Sequence, residues 1–190
     1  QSIIEILPEG GSKKPEPDTR AECVLFLLDG KLELILTEKS YILTSGSYVF
    51  IPPDHNWSIF NFADEPARLI WIRKIYNFAE DIEKPEPFVK NENDLKPIPM
   101  PDTDGVWCTT RFVDPLDLRH DMHVNIVSIK PGGVIPFMET HVMEHGIYIL
   151  QGKGIYNLNE DSVEVKAGDF IWLRAFCPQS CYAGGSETFK

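Results

Sequence analysis

The sequence predicts an all-β protein built from two copies of one strand unit, and three observations carry that reading. Short runs rich in Val, Ile, Leu, Phe and Tyr are cut by Gly, Pro and Asp, and nowhere does a helical period persist for three turns. Fifteen Pro and thirteen Gly in 190 residues argue against long helices. An internal repeat at an offset of 122 residues pairs Leu28, Gly30, Lys31, Leu36, Glu38, Ser40 and Gly46 with Leu150, Gly152, Lys153, Leu158, Glu160, Ser162 and Gly168, without a gap.

In the first copy the expected strands are 23–28, 31–36, 40–43, 47–51 and 67–76. Gly30 ends one apolar run and opens a hairpin, and Gly46, sixteen residues later, opens another. Glycine supplies the positive φ that such tight turns require. The second copy runs through 106–112, 123–129, 146–150, 154–158, 162–165 and 169–173, with Gly152 and Gly168 in the equivalent places. Between them, 77–105 holds Pro85, Pro87, Pro97, Pro99 and Pro101 amid charged residues, a composition that resists strand pairing. The expected organisation is a first unit over 1–76, a linker over 77–105 and a second unit over 106–190.

At 43% hydrophobic and 25% charged residues, the chain has the material for a globular core. A net charge of -11 is a poor footprint for phosphate backbones or anionic lipid, so nucleic acid and membrane are not expected as partners. No apolar run approaches the ~20 residues of a spanning helix, and the first ten residues carry no basic-then-apolar leader pattern. Four Cys are too few for a disulfide scaffold and read as reduced thiols, Cys23 and Cys108 as small apolar residues. A cytoplasmic location is the expectation.

Ligand-type side chains gather just before the Gly152 turn, in 131–146. Glu139 and His141 are two apart and His145 keeps the same parity, so on an extended strand all three point to one face. Glu144 has the opposite parity and reads as solvated or paired at the rim. One strand histidine is ordinary, whereas Glu-x-His-x3-His is a metal-ligand pattern.

This stretch resembles the cupin superfamily, whose first motif reads G-x5-H-x-H-x3,4-E-x6-G. Gly133, five residues, Glu139, Thr140, His141, three residues, His145, six residues and Gly152 keep that spacing, with Glu in the first His place and His in the Glu place. Gln179, eleven residues after Gly168, falls where the second motif carries its third His, although Arg174 and Phe176 replace that motif's Pro and Gly. The resemblance implies a bicupin, two tandem jelly-roll β-barrels whose first and last strands are partly missing from this chain, with Gln179 as fourth ligand. A Glu, two His and a Gln without thiolate suit Mn²⁺ or Fe²⁺ better than structural Zn²⁺ and leave octahedral positions open for water and a chelating substrate. Cys177 and Cys181 flank Gln179 two residues to each side and read as small inward-facing lining residues. The 122-residue offset carries the four ligands onto Pro17, Thr19, Cys23 and Trp57, so the first copy has none of them, and His55, in 52–57, reads as a solvated turn histidine.

A bicupin with an empty first half and this permuted ligand set is similar to the (S)-ureidoglycine aminohydrolase family, the manganese enzymes of allantoin breakdown. The likeness is strongest over 137–173. It implies that Glu139, His141, His145 and Gln179 bind Mn²⁺, with Fe²⁺ as the alternative, and that Tyr156 contacts a small-molecule substrate. The family's final-strand Lys and Tyr lie past Lys190. The implied reaction replaces the α-amine of (S)-ureidoglycine by water, giving (S)-ureidoglycolate and ammonia, with Glu139 and water on the metal as the two candidates for moving the proton. The family also implies a homo-oligomer. A metal-dependent oxygenase or isomerase and a non-catalytic small-molecule-binding cupin are the alternative readings.

Overall fold

A computed structural model describes residues 1–190, and apart from one 3-10 turn (Glu92–Asp94) its regular structure is all strand. The chain forms two compact units, one of residues 1–95 with 112–124 and one of 96–111 with 125–190.

The first unit contains β1 (Ser2–Ile6), β2 (Gly11–Ser12), β3 (Ala21–Asp29), β4 (Lys31–Leu36), β5 (Lys39–Thr44), β6 (Ser47–Ile51), β7 (Trp57–Phe60), β8 (Ala67–Ile75) and β9 (Phe88–Asn91). One antiparallel sheet has the order β1-β8-β3-β6-β9 and the other β2-β7-β4-β5. β4 shows the two-residue alternation of a half-buried strand: Leu32, Leu34 and Leu36 are buried and join one core with Cys23, Leu25, Leu27, Val49, Ile51 and Leu69. Each leucine removed from water there contributes about 1.5–3 kcal/mol.

β3 and β6 are instead buried along almost their whole length, which is why both read as continuous apolar runs. Their second face is covered from within the unit. Phe112 stacks on Tyr48 at 4.1 Å between centroids and meets Phe26 edge-on at 6.3 Å, while Phe88 of β9 stacks on Tyr48 and Phe50. Two features of the expected organisation differ here. Residues 77–105, expected as a linker, supply β9, because Phe88 to Asn91 follow Pro87 directly and contain no proline of their own. Residues 112–124, expected in the second unit, fold with the first, because Phe112, His120 and Asp121 find their partners on β3, β6 and β8.

Beneath that cover Glu22 is fully buried. Its carboxyl faces that of Asp121, which also accepts from Lys74 Nζ at 2.7 Å. Two carboxylates would leave Glu22 Oε1 and Oε2 and Asp121 Oδ1 without partners. One proton resolves this: burial, then the adjacent Asp121, push Glu22 up to about 9, while Asp121 is held below the ordinary carboxylate range, so a protonated Glu22 donates to an ionised Asp121.

The second unit contains β10 (Ile98–Pro99), β11 (Trp107–Arg111), β12 (Asn125–Ile129), β13 (His145–Tyr148), β14 (Lys153–Leu158), β15 (Asp161–Lys166), β16 (Phe170–Leu173) and β17 (Gln179–Ala183). They form the sheets β10-β11-β12, β13-β16 and β15-β14-β17 around a core of Trp107, Ile129, Ile135, Ile149, Tyr156, Val165, Cys181 and Phe189. The 122-residue offset holds at the level of single hydrogen bonds. Gly46 N donates to Leu27 O as Gly168 N does to Ile149 O, and Asp54 N to Thr19 O as Phe176 N does to His141 O. Leu36 pairs with Trp57 as Leu158 does with Gln179, and Cys23 with Ile51 as His145 does with Leu173. Gly46 and Gly168 both turn with positive φ, +82° and +95°.

The Glu22 proton makes stability fall with pH. A carboxyl whose folded pKa lies above its unfolded one binds more protons in the folded state, so its contribution is full in acid and is lost as pH rises toward about 9. Glu22→Gln, which keeps a donor for Asp121, is expected to raise the melting temperature at pH 9 by about 3–6 °C and to change it little at pH 5. Calorimetric melts of both proteins at the two pH values check this, and equal shifts at both would refute the shared proton.

Candidate metal centre

Gln179 opens β17, whose burial alternates so that Gln179, Cys181 and Ala183 all face inward. On one edge of β17, β14 sets Leu158 opposite Gln179 and Tyr156 opposite Cys181. On the other edge Glu139 makes an isolated bridge, with Glu139 N donating to Gln179 O at 2.8 Å and Gln179 N to Glu139 O at 2.9 Å. Directly opposed residues of an antiparallel pair project to the same face, so the Glu139 carboxylate and the Gln179 amide stand side by side.

The histidines arrive by a different route from the one their spacing suggests. Residues 139–144 are not a continuous strand, so the common parity of Glu139, His141 and His145 is not what groups them. The segment bends, with Phe176 N donating to His141 O at 2.8 Å and Thr140 Oγ1 to Phe176 O at 3.1 Å, and β13 begins only at His145. The bend brings the imidazoles to 4.6 Å between centroids, tilted by 33°. The Gln179 amide nitrogen lies 3.4 Å from both His141 Nε2 and His145 Nδ1. His141 Nδ1 is 3.1 Å from Met143 O, so it carries the proton and leaves Nε2 as a lone pair facing Gln179. This backbone partner has no sequence signature.

No three His, Cys, Asp or Glu side chains stand close enough to enclose an ion on their own, and the amide is what joins the two imidazoles. The donor chemistry fits a divalent cation. Half a turn of the Gln179 amide about its last bond exchanges N–H for a carbonyl oxygen, which with two imidazoles and a carboxylate gives an oxygen and nitrogen set. Burial raises Glu139, against a lowering by His141, and burial followed by His141 lowers His145, so both groups are desolvated.

Tyr156 is buried beside this cluster, its phenol raised by burial, by Cys181 and by Glu139. Cys181 is pushed up to about 12 by burial, so it is not poised as a thiolate donor, and Cys177 Sγ rests 3.7 Å from Pro178 O. Phe176 holds φ at +62°, where a bulky side chain is an outlier; Asp54, its counterpart in the first unit, has +67°. His55 is half-buried in its loop, with Nδ1 3.0 Å from Pro53 O.

The cupin domain family matches residues 3–73 and 125–190. The chain belongs to the cupin family. Among its relatives is (S)-ureidoglycine aminohydrolase of Escherichia coli (strain K12), 29% identical over 189 residues, which covers 99% of this cupin and 71% of the relative. A protein of the same name from Arabidopsis thaliana is 28% identical over 173 residues, 90% of this cupin and 56% of that relative, so the chain spans little more than half of the plant protein. A crystal structure from Pseudomonas aeruginosa, described as a glyoxylate-induced protein, is 56% identical with a TM-score of 0.94, covering 98% of this cupin and 69% of that chain. No helix of this cupin is long and apolar enough to cross a membrane.

Thiol reactivity separates the four cysteines. Cys23 and Cys181 are each 2% exposed and pushed up to about 12 by burial, whereas Cys108 and Cys177 are half-buried. Titration of the native protein with a disulfide reagent is expected to show two fast thiols and two that react at least roughly a hundredfold more slowly. Mass mapping should place the fast pair at Cys108 and Cys177, and fast labelling of Cys181 would contradict its packing.

Proposed function

We propose that this cupin hydrolyses (S)-ureidoglycine to (S)-ureidoglycolate and ammonia, using a divalent cation, Mn²⁺ ahead of Fe²⁺, held by Glu139, His141, His145 and Gln179. The observation that carries the reading is the pair of imidazoles that turn ring nitrogens to one buried amide, with a carboxylate on the residue bridged to it. Its support is the 99% of the chain that aligns with an enzyme of that name. When bound, the cation would polarise the substrate and acidify water.

The protein's own groups supply the rest. A Glu139 carboxylate oxygen not engaged by the cation would take the proton from water and return it to the departing amine. Burial keeps the Tyr156 phenol protonated, so that it offers a hydrogen-bond donor to the substrate. The contact from Met143 O fixes the tautomer and ring direction of His141.

His141→Ala is expected to lose the bound metal and to reduce ammonia release at least about a hundredfold. Glu144→Gln, at an exposed residue, should leave both within about twofold. Tyr156→Phe should keep the metal stoichiometry and lower kcat/KM by roughly tenfold, the loss of one hydrogen bond. Elemental analysis and an ammonia assay on freshly generated ureidoglycine give all three readings. Ammonia release at the parent rate from metal-free His141→Ala protein would remove the proposal, and turnover without ammonia but with oxygen uptake would replace it with an oxygenase.

A further inference from the structure

The first unit has a cavity of about 160 Å³ at the place where the second unit gathers its histidines. Thr19, Cys23 and Trp57 line it. These are the residues that the repeat register matches to His141, His145 and Gln179, and the same backbone bond, Asp54 N to Thr19 O at 3.0 Å, closes its rim. The three matched residues make a poor metal site. Burial holds the Cys23 thiol protonated, pushed up to about 12, and neither a tryptophan nor a threonine hydroxyl is a strong donor there.

What the lining does present is an indole and carboxylates. Glu16, Asp18 and Asp54 face the cavity against one ammonium, that of Lys14. Their ion-pair partners Arg73, Arg20 and Lys84 are not among the lining residues. Asp18 uses both oxygens on Arg20, and Asp54 pairs with Lys84 at 3.0 Å. Glu16 differs. Its side chain is 8% exposed, and Oε1 accepts from Arg73 at 2.7 Å and from Asp18 N at 2.9 Å, yet Oε2 is buried with no hydrogen-bond partner. A buried acceptor in that state is destabilising unless a donor reaches it. Trp57, 6% exposed and braced edge-on by Trp71 at 6.0 Å, offers a rigid aromatic wall.

The geometry points to a second ligand site in the first unit, one that takes a small organic ammonium ion. Its N–H groups would satisfy Glu16, its charge would be attracted by the three carboxylates and the indole, and its short alkyl part would lie against Trp57 and Ile51. This site shares no residue with the metal centre and does not depend on the reaction proposed there.

The test labels the full chain with 5-fluorotryptophan and follows the ¹⁹F resonance of Trp57, assigned by Trp57→Phe among the four tryptophans. Ethylammonium chloride is expected to shift this resonance saturably in the millimolar range, and sodium propionate at equal ionic strength to leave it in place. Glu16→Gln should weaken the ethylammonium response at least tenfold, and Asp54→Asn, at an exposed residue, severalfold. His141→Ala should bind as the parent does, which separates this site from the catalytic one. The inference is overturned by the absence of saturation up to about 50 mM, by an equal response to propionate, or by unchanged binding in both carboxylate variants.

Discussion

The hydrogen-bond ladder that sets Leu158 opposite Gln179 also sets Tyr156 opposite Cys181, and the other edge of the same strand sets Glu139 opposite Gln179. Side chains on a strand alternate between faces, so a slip of one residue in either pairing would put the partners on opposite faces and part the amide from the phenol or from the carboxylate. The same ladder recurs in the first unit with Leu36 opposite Trp57. The frame is therefore conserved between the two units while the chemistry at its mouth is not: imidazoles and an amide in one, an indole, a thiol and carboxylates in the other.

How much of this could be read beforehand follows from what each residue's neighbours in the chain encode. Gly30, Gly46, Gly152 and Gly168 marked their hairpins because positive φ is a local demand, and 31–36 is the bounds of β4 because its alternation is local too. β1, β7, β9 and β17 were not separately marked. Each has only four or five residues, and QSCYA of β17 lacks the branched and aromatic character of a typical strand. The placement of 112–124 was not legible, since nothing near Phe112 says that its ring will stack on Tyr48. Within the candidate site, residue types and spacing point to Glu139, His141 and His145 and the cupin resemblance adds Gln179, but strand parity, expected to group the first three, is replaced by a bend pinned from Phe176 and Met143.

The two units also handle buried polarity differently. In the first, Glu22 meets Asp121 and a proton between them removes one of two charges that the interior would disfavour. In the second, Gln179 is 4% exposed and its uncharged amide lies between two imidazole nitrogens, so the amide itself brings no formal charge into that interior. Proton sharing closes the first cluster to ligands, whereas long contacts of 3.4 Å leave the second open to one.

The partner that orients His141 is a main-chain carbonyl, that of Met143, and every residue type carries the same carbonyl. Its presence therefore survives almost any point substitution at position 143. What it does not survive is a change in chain length. Insertion or deletion of a single residue between His141 and His145 would withdraw the carbonyl, rotate the imidazole and shift the start of β13 against β16, where His145 is fixed opposite Leu173. The segment is tolerant in composition and intolerant in length, the reverse of what is usual for an exposed loop.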